Sequence, residues 1–131
     1  EYIHGLADAI NTKAFRPETL PTLSNAQVVE EVVKLRGFGV WSAEMFCLAT
    51  LGREDVFPAG DLVLKIALGK LRGASGKLAE KKARESVTHW SPYRSVGALF
   101  LWKYLSIIRK EEKSAASTKS TPLKTRKRKR K

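Results

Sequence analysis

Cysteine is nearly absent: Cys47 stands alone among 131 residues. One thiol excludes a disulfide within the chain, and equally a four-cysteine iron–sulfur cluster or a cysteine-rich zinc site. It lies in Met-Phe-Cys-Leu-Ala, an apolar run of helical character, and reads as a buried, inert thiol. Long apolar runs are missing too. No stretch reaches the roughly 20 residues that a membrane-spanning helix requires, and no signal peptide opens the sequence. A reducing, intracellular compartment is expected, with no membrane partner. Sustained alternation of apolar and polar residues is absent, so no strand is predicted. No internal repeat is visible, and the two histidines, His4 and His89, fall outside every motif and read as structural.

Acid is missing from one region. Residues 113–131 hold nine Lys/Arg and no Asp or Glu, while residues 1–112 carry 16 basic and 13 acidic side chains, a net of +3. Most of the +12 of the whole chain therefore sits in its last segment. That segment is Ser, Thr, Ala and Lys, too poor in apolar groups to offset the entropy of ordering, and a disordered basic tail is expected over 113–131. Its end, Lys124-Thr-Arg-Lys-Arg-Lys-Arg-Lys131, reads as a nuclear localisation signal or a non-specific nucleic-acid arm. The nucleus is the expected compartment. As an arm, the run would raise affinity in a salt-dependent way without adding selectivity.

What remains is one domain's worth of amphipathic helix, with glycines and prolines between the helical windows. Helices are expected over about 2–12, from the Ser24 cap to Leu35, and over 41–51 and 61–71. Two more are expected over about 77–89 and from a Ser91 cap, with Pro92 at the first helical position. Ser24 with Gln27 has the spacing of a capping box. The fold class is all-α, with six helices.

Two adjoining segments carry the chemistry. Leu35-Arg-Gly-Phe-Gly-Val-Trp-Ser-Ala43 sets two glycines one residue apart between amphipathic helices. Such a turn lets backbone N–H groups face outward with no side chain in the way, where they can meet a phosphate. The candidate backbone-binding residues are Gly37, Phe38, Gly39, Val40, Trp41 and Ser42, with Phe38 anchoring the turn; an ordinary helix-to-helix turn is the plainer alternative. Phosphates carry no base information, so this grip is blind to sequence. The second segment, Asp55-Val-Phe-Pro-Ala-Gly-Asp61, delivers a carboxylate at a helix entry, 22 residues beyond Gly39. Asp61 suits a helix N-cap, a role compatible with aiming a carboxylate at a ligand.

This stretch resembles the helix-hairpin-helix DNA glycosylases, in which a similar hairpin is followed, at a similar distance, by a Gly/Pro-rich loop and an essential Asp. The continuation Asp61-Leu-Val-Leu-Lys65, and Trp90-Ser-Pro-Tyr-Arg-Ser95 leading to a helix with Trp102, is most similar to the alkylated-base (3-methyladenine) branch. The likeness covers roughly residues 1–109. This chain has Ala59-Gly60-Asp61 where Gly-Pro-Asp is commoner in the superfamily.

The resemblance implies hydrolysis of the glycosidic bond of alkylated purines in double-stranded DNA, with Asp61 as the catalytic carboxylate. Strand-cleaving members carry a nucleophilic Lys at the position of Trp41, and Trp cannot form an imine, so a monofunctional enzyme is implied. Lys65 matches no nucleophile position and suits phosphate contact or solvation. Trp41 and Tyr93 are candidates for an aromatic base pocket, with core packing as the alternative. Trp90 and Trp102 are assigned to the core, and Arg94 to pairing with an acid or holding a loop. No metal and no cofactor are implied, although a cation at the hairpin carbonyls fits the resemblance, and the protein is expected to be a monomer. The chain opens at Glu1 within a helical pattern, so the glycosylase-like domain over 1–112 is expected to lack an N-terminal part that supplies the other pocket wall and a duplex wedge. A non-catalytic or truncated DNA-binding module that keeps the hairpin is the second reading.

Overall fold

The structure, a computed structural model, describes residues 1–119. The described residues are all-helical: α1 (Tyr2–Asn11), α2 (Asn25–Val33), α3 (Val40–Ala49), α4 (Leu62–Leu71), α5 (Glu80–Ser86) and α6 (Arg94–Lys119). Two 3-10 turns, Pro17–Thr22 and Thr88–Trp90, lie between them. No helix among the described residues is long and apolar enough to cross a membrane.

Local chemistry explains most of the boundaries. The Ser24 hydroxyl accepts from the Gln27 amide at 3.2 Å while the Ser24 amide donates to Gln27 Oε1 at 2.9 Å, so the expected capping box starts α2. Asp61 caps α4, its Oδ1 accepting from the Leu64 amide at 2.8 Å. The fifth helix is shorter than its pattern suggested. The Leu78 side chain is buried and its amide donates to the Lys65 carbonyl at 3.2 Å, which fastens this residue to α4 before α5 begins.

The expected Ser91 cap is not formed. The Ser91–Pro92 peptide is cis, and α6 begins at Arg94. The Ser91 hydroxyl donates instead to Asp55 Oδ2 at 2.7 Å, and the Arg94 amide points at Asp55 Oδ1 at 3.4 Å. A carboxylate from a distant loop thus serves the start of α6. At its other end α6 passes the expected boundary at residue 112 and reaches Lys119. Glu112 there accepts from Lys70 of α4 at 2.5 Å. The run 124–131, with its proposed import or DNA-arm role, lies outside the described residues.

Burial is divided between two clusters. One gathers Phe15, Leu20, Val28, Val32, Ala43, Cys47 and Val56, beneath α2 and α3. The other is built around Phe57, Leu64, Leu68, Val87, Leu101 and Leu105, with α4 packed on α6. Val56 and Phe57 are neighbours in sequence yet belong to different clusters. The loop that carries Asp61 is therefore anchored in both halves of the molecule. Gly97 permits a close approach: a Cβ there would overlap the Trp90 ring, which in turn meets Phe57 edge-on with centroids 6.1 Å apart.

Candidate functional site

The hairpin between α2 and α3 has the geometry of a backbone grip. Gly37 adopts φ +91°, a left-handed conformation that turns the chain without a side-chain penalty. Phe38 is half-buried against the α2–α3 core, and its amide donates to the Leu35 carbonyl at 3.1 Å. Gly39 occupies the N-cap position of α3, and a Cβ there would meet nothing within 4 Å. The first intrahelical bond of α3 is Ala43 N–H to the Gly39 carbonyl at 3.1 Å, so the amides of Gly39, Val40, Trp41 and Ser42 have no partner one turn back. They form the positive end of a ten-residue helix beside open space.

The ring of Tyr2, on α1, lies across Gly37. A Cβ there would stand 2.5 Å from its Cδ1, in addition to the strain of a non-glycine residue at that φ. Gly37→Ala is expected to cost about 1–3 kcal/mol of stability and to weaken duplex binding, read by thermal melting and gel shift. Gly39→Ala, where space is open, is expected to melt with the parent. Equal melting of all three chains would remove the conformational argument.

The loop after α3 is pinned from several sides. Arg94 grips Asp55 with both ends of its guanidinium, Nε to Oδ1 at 2.6 Å and Nη2 to Oδ2 at 2.9 Å. The neighbouring Ser95 hydroxyl, buried, donates to the Arg53 carbonyl at 2.6 Å and accepts from the Val56 amide at 3.0 Å. Arg53 itself donates to the carbonyls of Pro21 and Leu23, each at 2.9 Å. Arg94 therefore does both things expected of it, pairing with an acid and holding the loop. Its guanidinium and the Ser91 hydroxyl hold the Asp55 carboxyl well below the usual carboxylate range.

A depressed carboxyl pKa contributes stability that is fully present above the unfolded value of about 4 and is lost as pH falls below it. Asp55→Asn is expected to lower stability by about 1–2 kcal/mol near neutral pH. The gap between the two chains should narrow in melts taken progressively below pH ~4; a gap that is constant with pH would contradict the linkage.

Beyond Pro58 the chain turns through Ala59 and Gly60, and Asp61 enters α4. Its carboxylate is half-buried. Besides capping the helix, Oδ1 faces the indole N–H of Trp102 at 3.4 Å. Trp102, expected only in the core, packs at its edge and also orients the acid. Trp41, in the first turn of α3, comes to the same place. A Cβ on Gly60 would stand 3.3 Å from the Trp41 Cβ and 3.8 Å from Glu80 Oε2 of α5. Trp41 is 48% exposed, so one part of the indole supports the loop and the rest is open to a ligand.

Tyr93 lies elsewhere. It lines an apolar groove of about 470 Å³ with Trp90, Phe100 and Tyr104, and neither Trp41 nor Asp61 borders that groove. The pairing of Trp41 with Tyr93 in one base pocket is thus not assembled here. The Lys65 side chain, one turn past Asp61, makes no hydrogen bond or ion pair among the described residues, although its carbonyl accepts from the Leu78 amide. Cys47 is 1% exposed, and burial pushes its thiol pKa up. His4 and His89 are exposed, and His89 meets Trp90 edge-on. Glu44 of α3 is buried and accepts from Arg84 of α5 at 2.6 Å, and Arg84 also reaches Glu80 at 3.4 Å. Among the described residues, no group of three or more His, Cys, Asp and Glu is arranged to hold a metal ion.

A half-exposed indole, a set of free helix amides and an oriented carboxylate converge where the hairpin meets the loop. No family model matches the chain. Among curated proteins it is 30% identical over 109 residues to the alkylbase DNA glycosidase-like protein mag2 of Schizosaccharomyces pombe, covering 82% of this chain and 51% of that protein. It is 33% identical over 89 residues to DNA-3-methyladenine glycosylase 1 of the same yeast, covering 66% of this chain and 38% of that one. Among solved structures, DNA-3-methyladenine glycosidase from Bacillus halodurans superposes with a TM-score of 0.72 at 31% identity, over 84% of this chain and 51% of its own. The S. pombe 3-methyladenine DNA glycosylase in complex with abasic DNA gives 0.66 at 25% identity, over 76% and 48%. The chain spans about half the length of these proteins, or less. Over that shared part the chain is similar, in sequence and in fold, to the 3-methyladenine DNA glycosylases.

Proposed function

We propose that the chain carries the DNA grip and the acid of a monofunctional DNA-3-methyladenine glycosylase, acting in base-excision repair. The observation that carries this reading is the meeting of Trp41 with the Asp61 loop at Gly60. It brings the first turn of α3, with its free amides, against the loop that carries Asp61, which supports a shared DNA-facing surface.

The chemistry follows from the charges. An alkylated purine carries positive charge, so it departs as a neutral base when its bond to C1′ of deoxyribose breaks. The positive charge passes to the sugar as oxocarbenium character, and the Asp61 carboxylate stabilises it there. Water supplies the oxygen at C1′, giving a free base and an abasic site. Trp41 offers the ring on which an electron-poor flipped base stacks. No amine stands at its position in the hairpin, so no imine forms and the strand is left uncut. The basic run 124–131 supports action in the nucleus.

The test is incubation with duplex DNA treated with a methylating agent, with released bases separated by chromatography. Release of methylated purines, strand breaks only after alkali, and no borohydride-trapped protein–DNA adduct are the expected results. Breaks without alkali would overturn the monofunctional assignment. Retention of duplex without release would leave a non-catalytic DNA-binding module.

A further inference from the structure

We propose that Glu80 is a specificity-determining residue of the Asp61 site, one that favours capture of cationic bases over neutral ones. The inference rests on the glycosylase reading above and adds a residue that neither the hairpin nor the loop contains.

Four side chains fix the geometry: Glu80, Trp41, Arg84 and Glu44. Glu80 opens α5, and its Oε2 lies 3.8 Å from where a Cβ on Gly60 would stand, a point also 3.3 Å from the Trp41 Cβ. Because residue 60 is glycine, nothing projects between the carboxylate and the indole. Arg84, one turn along α5, is within ion-pair reach of Glu80. Its closer partner is Glu44, at 2.6 Å against 3.4 Å for Glu80. Glu44 is 8% exposed, and its bond to Arg84 raises the guanidinium pKa. The Arg84 charge is offset by a buried carboxylate, and the charge of half-exposed Glu80 remains to act outward, beside the ring proposed to hold the base.

A carboxylate in that position attracts a purine made cationic by alkylation and gains nothing from a neutral one. The benefit falls on capture of the flipped base, not on bond cleavage. During cleavage the positive charge moves from base to sugar, towards Asp61 and away from Glu80. The two carboxylates thus divide the work: Glu80 acts on affinity and Asp61 on the chemical step.

The experiment reads binding and release separately. In an Asp61→Asn background, affinities are measured for duplexes bearing one 7-methylguanine or one hypoxanthine, with and without Glu80→Gln. The preference for the cationic duplex is expected to fall by about three- to tenfold, with Glu80→Asp retaining most of it. Equal losses on both duplexes, or no loss, would overturn the inference. With Asp61 intact, Glu80→Gln should raise the half-saturating enzyme concentration for 7-methylguanine release and hold or raise the maximal rate, because the lost contact is stronger in the bound ground state than in the transition state. A maximal rate lowered more than about twofold would overturn the capture role. A chain that releases no base yet shows the Glu80-dependent preference would overturn the glycosylase reading while sustaining this one.

Discussion

Replacing Asp61 by Asn is expected to slow base release by about 10²–10³-fold while leaving the fold and the grip on DNA intact. The substitution separates the two roles of this side chain. As a helix cap, Asn is nearly as good as Asp. Its amide oxygen can still accept from the Leu64 amide, 2.8 Å from Oδ1 in the parent, and from the Trp102 indole. What it lacks is the negative charge proposed to meet the oxocarbenium ion. Duplex affinity should hold or rise slightly, because one repulsive charge beside the phosphates has gone. Single-turnover release from methylated duplex, gel shift and thermal melting together check this. A rate within threefold of the parent would falsify the assignment of Asp61. A large fall in melting temperature would instead show the acid to be mainly a cap.

The sequence made the hairpin and the acid legible because both are local devices. Two glycines and an anchoring Phe38 define a turn within five residues, and Asp61 caps a helix from its own first position. The supports of the site are the opposite case. Ser91, Arg94 and Ser95 act on residues 53–56, roughly forty positions upstream, and Trp102 lies 41 residues from the carboxylate it orients. Nothing in the spacing of the Trp90–Ser95 motif names Asp55 as its target. Reading Ser91 as a cap applied a local rule where a distant carboxylate took its hydroxyl.

Tyr93 was misleading for a similar reason. With Ser91 tied to Asp55 and α6 starting at Arg94, the chain presents Tyr93 to the groove shared with Trp90 and Phe100, which neither Trp41 nor Asp61 borders. The length of α6 was hidden because its last part carries few apolar residues. There the helix continues past the buried Leu105, and Lys70 ties it back to α4 through Glu112.

The largest stability effect is expected at Gly69, well away from the chemistry. Gly69 is fully enclosed in the last part of α4, and a Cβ there would fall on the carbonyl oxygen of Gly76. The neighbouring atoms are backbone: the Gly76 carbonyl carbon at 3.2 Å and the Leu78 amide nitrogen at 3.7 Å. No side chain can swing aside to make room. The turn between α4 and α5 would have to move, taking with it the Leu78 amide bond to Lys65 and the start of α5, where Glu80 sits. Gly69→Ala should therefore lower stability by about 2–4 kcal/mol, at or above the usual cost of overpacking a core. For a domain of this size that corresponds to a fall in melting temperature of roughly 10 °C or more. Gly73→Ala is the control. Gly73 has φ +68° but open space around it, so only the backbone strain of about 1 kcal/mol is expected. If the two variants melt together, close backbone approach at Gly69 contributes nothing beyond conformation. If Gly69→Ala melts well below Gly73→Ala, the α4–α5 turn is a packed element of the site's scaffold.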